Sequence, residues 1–161
     1  LPEMAVAGVL LLVLPGVAVT ATSFPSYDAM LYDSFGNVTA SDFAMLDWAG
    51  AHLPDGARVL VAPGSAAGFL PGYAPGAVVL FPMIGGARSN GSYELVVGEL
   101  DNGTLDAAGE RAMANLSVGF VAVTGANSQL YEPFEPFPLL DDARYSVIFQ
   151  EGDAYLFSRA P

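Results

Sequence analysis

The sequence predicts an α/β domain with a three-layer, mostly parallel sheet and a C-terminal antiparallel hairpin, preceded by one apolar helix. Three observations predict it. Arg58–Ala62, Ala77–Phe81 and Val118–Thr124 are short, nearly continuous apolar runs of strand length, the pattern of strands buried on both faces. Segments with helical spacing alternate with them, which implies parallel pairing through crossover connections. Two β-rich runs, Tyr145–Gln150 and Ala154–Ser158, are joined by Glu151-Gly152-Asp153 and read as a hairpin on the sheet edge.

The first element is the apolar run Ala5–Val19, which contains no charged or strongly polar residue. Extended through Thr22, it approaches the roughly 20 residues that cross a bilayer, so residues 1–22 are expected to form a transmembrane helix. A secretory signal peptide competes with that reading, because Pro15-Gly16 can end an apolar region and Val19-Thr20-Ala21 resembles a cleavage site. No basic residue precedes the run, and the sequence starts at Leu1 as if continuing from a longer protein. A buried core helix is the third option. The first two options put everything after about residue 23 on the extracytoplasmic side. Residues 23–40 then form a connector and residues 41–161 the α/β domain.

Within that domain, Ser41 and Asp42 can cap a helix running through Phe43, Leu46 and Trp48 to Leu53, where Pro54-Asp55-Gly56 stops it. The first strand follows and ends at Pro63-Gly64, and the second ends at Pro82. Tyr93–Leu100 and Leu105–Ala114 are expected helices, separated by Asp101-Asn102-Gly103. The third strand and the hairpin complete the order, with no internal repeat.

Composition narrows the chemistry. The 161 residues carry 5 basic against 17 acidic side chains, a net charge of −12, with one histidine and no cysteine. Thiolate metal sites, disulfides and cysteine nucleophiles are excluded, and His52 alone cannot supply a multi-imidazole zinc site. All five cations are arginine, too few to neutralise a run of phosphates, so nucleic acid is not an expected partner. Charged residues make up 14% of the chain against roughly 25% in soluble domains, and hydrophobic residues 53%, a balance that leans toward a membrane. Four of the five asparagines, Asn37, Asn90, Asn102 and Asn115, begin an N-x-Ser/Thr sequon. Sixteen of 161 residues are Ser or Thr, so only about one Asn in ten would do so by chance. Asn90-Gly91 and Asn102-Gly103 are also ordinary turn dipeptides. The sequons are read as N-glycosylation sites of an exported surface.

No convincing acid/base or metal constellation stands out. Asp42 and Asp47 are five apart on one helix and do not share a face, and Asp141-Asp142 would diverge in an extended chain. All four are read as solvated carboxylates. No catalytic residue, metal or cofactor is therefore expected. Trp48 and His52, four apart, can meet in a helix-packing role. Two segments remain as candidate ligand or interface sites. Gly64 and Ser65 open the loop after the first strand, where α/β folds commonly place ligand loops, although a tight structural turn is the favoured explanation. Tyr131, Phe134 and Phe137 are spaced by three residues and held by prolines, and could stack on sugars, meet a membrane interface or a helix bundle, or simply pack over the sheet edge.

Several phrases carry a resemblance: "ASDFAMLDWAGAHLPDGARVLVAPGSAAGFLP" from Ala40, the "VLFP" strand, "GFVAVTG", and the final "YSVIFQEGDAYLFSR". Together with the leading apolar helix, Ser41 to Arg159 resembles the extracytoplasmic C-terminal domain of multi-pass membrane glycosyltransferases. These enzymes, of the glycosyltransferase C superfamily, use lipid-phosphosugar donors and are related in plan to protein mannosyltransferases and archaeal oligosaccharyltransferases. Leu46-Asp47-Trp48 with Pro54-Asp55-Gly56, and Phe149 to Phe157, are its most recognisable pieces. The Trp-Trp-Asp motif of oligosaccharyltransferases is absent, and Ala62-Pro63-Gly64-Ser65 stands near its place, which argues against that branch. The resemblance implies an accessory domain whose catalytic carboxylate lies outside this chain, with the membrane, other helices of the same full-length protein and a glycan or lipid-linked sugar as partners. A membrane-anchored, glycosylated surface module without enzymatic activity is the alternative. A free exported hydrolase is weaker, because no candidate nucleophile has a recognisable base.

Overall fold

The computed structural model describes residues 38–80, 91–124 and 134–160, all within the compact unit Phe35–Pro161. In chain order the elements are α1 (Ala40–His52), β1 (Arg58–Val61), a 3-10 turn (Ala66–Phe69), α2 (Leu70–Tyr73), β2 (Val78–Leu80), α3 (Gly91–Asp101), α4 (Ala107–Asn115), β3 (Phe120–Val123), α5 (Phe137–Leu140), β4 (Tyr145–Glu151) and β5 (Ala154–Arg159). The expected transmembrane segment lies outside the described residues. Among the described residues, no helix is long and apolar enough to cross a membrane.

The strands form one mixed five-stranded sheet in the order β2-β1-β3-β5-β4. β1 pairs in parallel with β2 and with β3, aligning Val59 with both Val79 and Phe120. β5 pairs antiparallel with β3 and with β4, so the hairpin extends the sheet on the β3 side. The β4 register shifts between Val147 and Phe149, a bulge-like irregularity near the free edge.

Helices cover both faces because β1 is apolar and buried from Val59 to Val61 and β3 is apolar from Phe120 to Val123. β2, expected to be buried on both faces, is instead an edge strand whose Val78 is 41% exposed, because no strand lies beyond it among the described residues. Side chains alternate along a strand, so Val59, Val61, Ala122 and Leu156 face one way, toward Met45, Leu46 and Ala49 of α1 and Leu70 of α2. Leu60, Val121, Val123 and Phe157 face the other way, toward Val96 and Leu100 of α3 and Ala112 and Met113 of α4. A half-polar strand would have left one face for water. These cannot.

The start of α1 differs from the sequence expectation. Thr39 is the N-cap and Asp42 sits at N3, closing a reciprocal capping box: the Asp42 N–H donates to Thr39 Oγ1 at 3.2 Å, and the Thr39 N–H donates to Asp42 Oδ2 at 2.8 Å. Asp42 is 0% exposed, so it is a buried cap rather than a solvated carboxylate. The other end of α1 approaches α2 closely enough that a Cβ built at Gly50 would stand 2.5 Å from the Tyr73 carbonyl oxygen.

Two stability outcomes follow from these contacts. Thr39→Ala should cost about 1 kcal/mol in chemical denaturation, the usual value of a lost N-cap. Gly50→Val should cost more, on the order of 1–3 kcal/mol, because the overpacking penalty against Tyr73 exceeds any gain in helix propensity. A Gly50→Val variant as stable as the parent would show that α1 and α2 can separate freely.

Candidate functional site

The carboxyl end of β1 carries a buried hydroxyl, Ser65 Oγ, that makes no hydrogen bond to the described residues. The chain leaves β1 at Val61, passes the buried Ala62 and Pro63, and reverses through Gly64, whose φ of +69° favours glycine. The Ser65 N–H donates to the Ala62 carbonyl at 3.2 Å and the Gly68 N–H donates to the Ser65 carbonyl at 2.9 Å, which fixes the turn. Ser65 is 1% exposed, and its Oγ has no hydrogen-bond partner among the described residues. At the same end of the sheet, the Tyr93 hydroxyl from α3 donates to the Val61 carbonyl at 3.2 Å. Thr124, buried, directly follows β3.

The topology gives this location meaning. From β1 the chain moves to β2 on one side, and β3 is then laid on the other, so the connections leaving β1 and β3 diverge. Such a switch point leaves a crevice outside the carboxyl ends of the strands, where open α/β sheets place their ligands. Gly64 and Ser65 were legible in the sequence as a loop after a strand. Tyr93 and Thr124 were not, because only strand order brings them to the same end.

The aromatic segment does not form the exposed cluster that its spacing allows. Phe134 is 1% exposed and belongs to the core with Leu100 and Leu139, held there as the Glu135 N–H donates to the Leu100 carbonyl at 3.1 Å. It is a packing residue. Phe137, in contrast, is 65% exposed. Tyr131 lies outside the described residues. Prolines fixed the segment's backbone, but the side of the sheet it lies against decided which ring went inside.

Asn37 and Asn90 lie outside the described residues, while Asn102 and Asn115 are exposed. Both described sequons end a helix. Asn102 Nδ2 donates to the Gly98 carbonyl at 2.5 Å, Gly103 has a φ of +67°, and Thr104 Oγ1 donates to the Glu99 carbonyl at 3.1 Å, so all three residues terminate α3. Ser117 has a φ of +53° just after α4, and the Val118 N–H donates to the Met113 carbonyl at 3.0 Å. Helix termination thus accounts for residue types that the sequon reading assigned to glycosylation.

The amino end of the sheet carries a charge network absent from the sequence reading. Arg58, Gly119, Arg159 and Tyr145 form one row across four strands, through the Gly119 N–H to the Arg58 carbonyl at 3.0 Å, the Arg159 N–H to the Gly119 carbonyl at 2.8 Å, and the Arg159–Tyr145 register. Over this row lies Glu110 of α4, only 6% exposed. Its Oε1 accepts from the Tyr145 hydroxyl at 2.6 Å, and its Oε2 accepts from Arg159 Nη2 at 3.0 Å and pairs with Arg144 Nη1 at 3.3 Å. Arg144 also grips Asp142 with two nitrogens. Burial, and then the Glu110 carboxylate, push the Tyr145 hydroxyl well above its ordinary pKa of 10.0. The hydrogen bonds from Arg144 hold Asp142 below the usual carboxylate range. Arg58 Nε donates to the Leu116 carbonyl at 2.8 Å, opposing the negative end of α4. These groups satisfy one another and clamp the hairpin to α4, which makes the network a fastening rather than a reaction centre.

The remaining sequence candidates have structural partners as well. His52 stacks on Trp48 with ring centroids 4.3 Å apart and an 11° interplanar angle, and Trp48 meets Phe149 of β4 at 6.0 Å. Asp47 and Asp141 are exposed. Among the described residues, no group of three or more His, Cys, Asp or Glu side chains could hold a metal ion.

The network has a pH signature. Because Tyr145 stays protonated in the folded state above its ordinary 10.0, the unfolded chain ionises first, and stability should fall as pH rises beyond that value. Tyr145→Phe should lose about 1.5–3 kcal/mol at neutral pH and flatten this alkaline decline, measured by urea unfolding at a series of pH values. An unchanged alkaline slope would place Tyr145 outside the coupling. Ser117→Gly should gain about 0.5–1 kcal/mol by relieving the left-handed backbone at the end of α4.

No protein-family model matches this chain, and neither does any curated protein or solved structure.

Proposed function

We propose that this chain is an accessory extracytoplasmic domain of an integral membrane glycosyltransferase that uses a lipid-linked sugar donor, with the reacting groups supplied by protein outside it. One observation carries the reading. The two phrases on which the resemblance rests, one on α1 and the other on the final hairpin, are about a hundred residues apart in the chain, yet they pack together through Trp48 and Phe149. A turn next to the hairpin adds to this: a Cβ at Gly152 would stand 2.7 Å from Ser41 Oγ. The two phrases therefore meet in the fold and belong to one packed unit, which supports reading them together. Asp42 and Asp142 serve as a helix cap and as a partner for Arg144.

The domain's role is to shape the acceptor side of the active site. The second reading, a membrane-anchored glycosylated surface module without activity, draws on the exposed side chains of Asn102 and Asn115. Upstream sequence separates the two, since several further apolar spans with an acidic residue in the first outside loop belong to the transferase alone.

The direct test uses the full-length membrane protein in proteoliposomes with a polyprenyl-phosphate sugar. Sugar transfer is expected, and Asp47→Asn and His52→Ala should each retain at least half of the parent rate. Absence of transfer with a panel of lipid-linked sugars would overturn the transferase reading. Loss of more than a hundredfold in either variant, with unchanged melting temperature, would overturn the assignment of chemistry to the rest of the protein.

A further inference from the structure

We infer that Asn102 is a site of covalent self-modification gated by the last turn of α3, whose local opening lets the Gly103 nitrogen attack the Asn102 side chain and convert it to aspartate or isoaspartate. The inference stands on the geometry of this turn and does not depend on the glycosyltransferase reading.

The chemistry begins with the dipeptide. Asn102-Gly103 places a side-chain amide next to a backbone nitrogen whose own residue has no Cβ to hinder approach. Once deprotonated, that nitrogen attacks Asn102 Cγ. The N–Cγ bond forms, the Cγ–Nδ2 bond breaks, and Nδ2 leaves as ammonia with the proton that the Gly103 nitrogen gave up. Water then opens the cyclic imide at one of its two carbonyls. Cleavage at Cγ leaves aspartate in an ordinary backbone, and cleavage at the main-chain carbonyl leaves isoaspartate. One water is consumed and one ammonia released, with no change of oxidation state.

The folded turn withholds both reacting groups. Asn102 Nδ2 donates to the Gly98 carbonyl at 2.5 Å, and the Gly103 N–H donates to the Leu100 carbonyl at 3.1 Å. The same Leu100 carbonyl accepts from the Glu135 N–H at 3.1 Å, and Thr104 closes the turn through its N–H and Oγ1, which donate to the Glu99 carbonyl at 2.9 and 3.1 Å. Yet the turn is not sealed. Asn102, Gly103 and Thr104 are all exposed, so water reaches the amide, and hydrogen bonds at an exposed helix end open far more often than those of a core. Gly103 is there for a structural reason, since its φ of +67° is the left-handed conformation that ends the helix. The residue that terminates α3 is therefore the one that leaves Asn102 open to attack.

The product cannot remake the turn. A carboxylate at 102 has no proton to donate to the Gly98 carbonyl, and it adds negative charge at the negative end of the α3 dipole, in a stretch that already holds Glu99, Asp101 and Asp106. Isoaspartate also lengthens the backbone by a methylene before the Gly103 nitrogen, which shifts the Gly103 and Thr104 donors away from their carbonyls. The conversion is a one-way release of the end of α3.

The experiment incubates the 161-residue chain, made without glycosylation and held in detergent micelles, in mildly alkaline buffer with and without denaturing urea. Cleavage after Glu94 and Glu99 separates Asn102 from Asn90, and mass spectrometry reads the gain of one mass unit at 102. Conversion is expected to be at least tenfold slower in the folded chain than in urea. Thr104→Ala, which removes a hydrogen bond that closes the turn but keeps the dipeptide, should speed conversion at least threefold when folded and leave the rate in urea unchanged. Thr39→Ala, which weakens α1 on the other face of the sheet, should leave the folded rate unchanged, and Asn102→Asp, one of the two products, should lower the melting temperature. Equal rates in folded and unfolded chains, no conversion in urea, or no acceleration by Thr104→Ala would overturn the inference. Acceleration by Thr39→Ala as large as that by Thr104→Ala would show that global rather than local opening controls the reaction and would overturn the gate. An Asn102→Asp variant that melts with the parent would overturn the release of α3.

Discussion

Two-sided burial of β1 and β3 is the constraint on which the remaining elements depend. Val59 and Val61 face one layer of helices and Leu60 the other, and Ala122 alternates with Val121 and Val123 in the same way. Burying an aliphatic side chain of this size is worth about 1.5–3 kcal/mol, so exposing either face would forfeit several such terms together. That demand sets the chain order. α1 and α2 come from the segments on either side of β1 and cover one face, while α3 and α4 come from the long crossover between β2 and β3 and cover the other.

The hairpin answers a different need, since a parallel sheet ending at β3 would expose an apolar edge. β5 pairs antiparallel with β3 and keeps Leu156 and Phe157 on opposite faces, continuing both cores. Its attachment is reinforced from both sides. On one face Trp48 of α1 meets Phe149, and on the other Glu110 of α4 gathers Tyr145, Arg159 and Arg144. A chain of net charge −12 with five arginines places two of them on a single buried carboxylate, where removing one partner leaves an uncompensated charge. Cations committed in this way fasten the amino end of the sheet, where the described charged groups satisfy one another.

The two ends of the sheet are held differently. The amino end is fastened by groups that would have to break from one another to do anything else. At the carboxyl end the backbone is equally well held, through Gly64 and the Ser65 turn, but a side-chain hydroxyl is left over.

The sequence by itself determined what local periodicity can carry. Continuous apolar runs marked β1, β2 and β3 as parallel strands, though only β1 and β3 are buried on both faces while β2 lies at the edge. Glu151-Gly152-Asp153 marked the hairpin, and the four-residue spacing of Trp48 and His52 put them on one helical face, where they stack. Even the cap of α1 was one local exchange away, with Thr39 rather than Ser41 taking the N-cap and Asp42 closing the box from N3. What the tertiary structure alone decided involves residues far apart in the chain. Glu110 meets Tyr145 and Arg159 across separations of 35 and 49 residues, and no pattern in any one segment signals that pairing. Phe134 and Phe137 show the same division within three residues: their spacing is identical in kind, yet one is sealed beneath Leu100 and Leu139 and the other stands in solvent. Spacing fixes the direction in which a side chain leaves its own backbone, but only the packing of other segments decides whether it then meets water, a core or a partner.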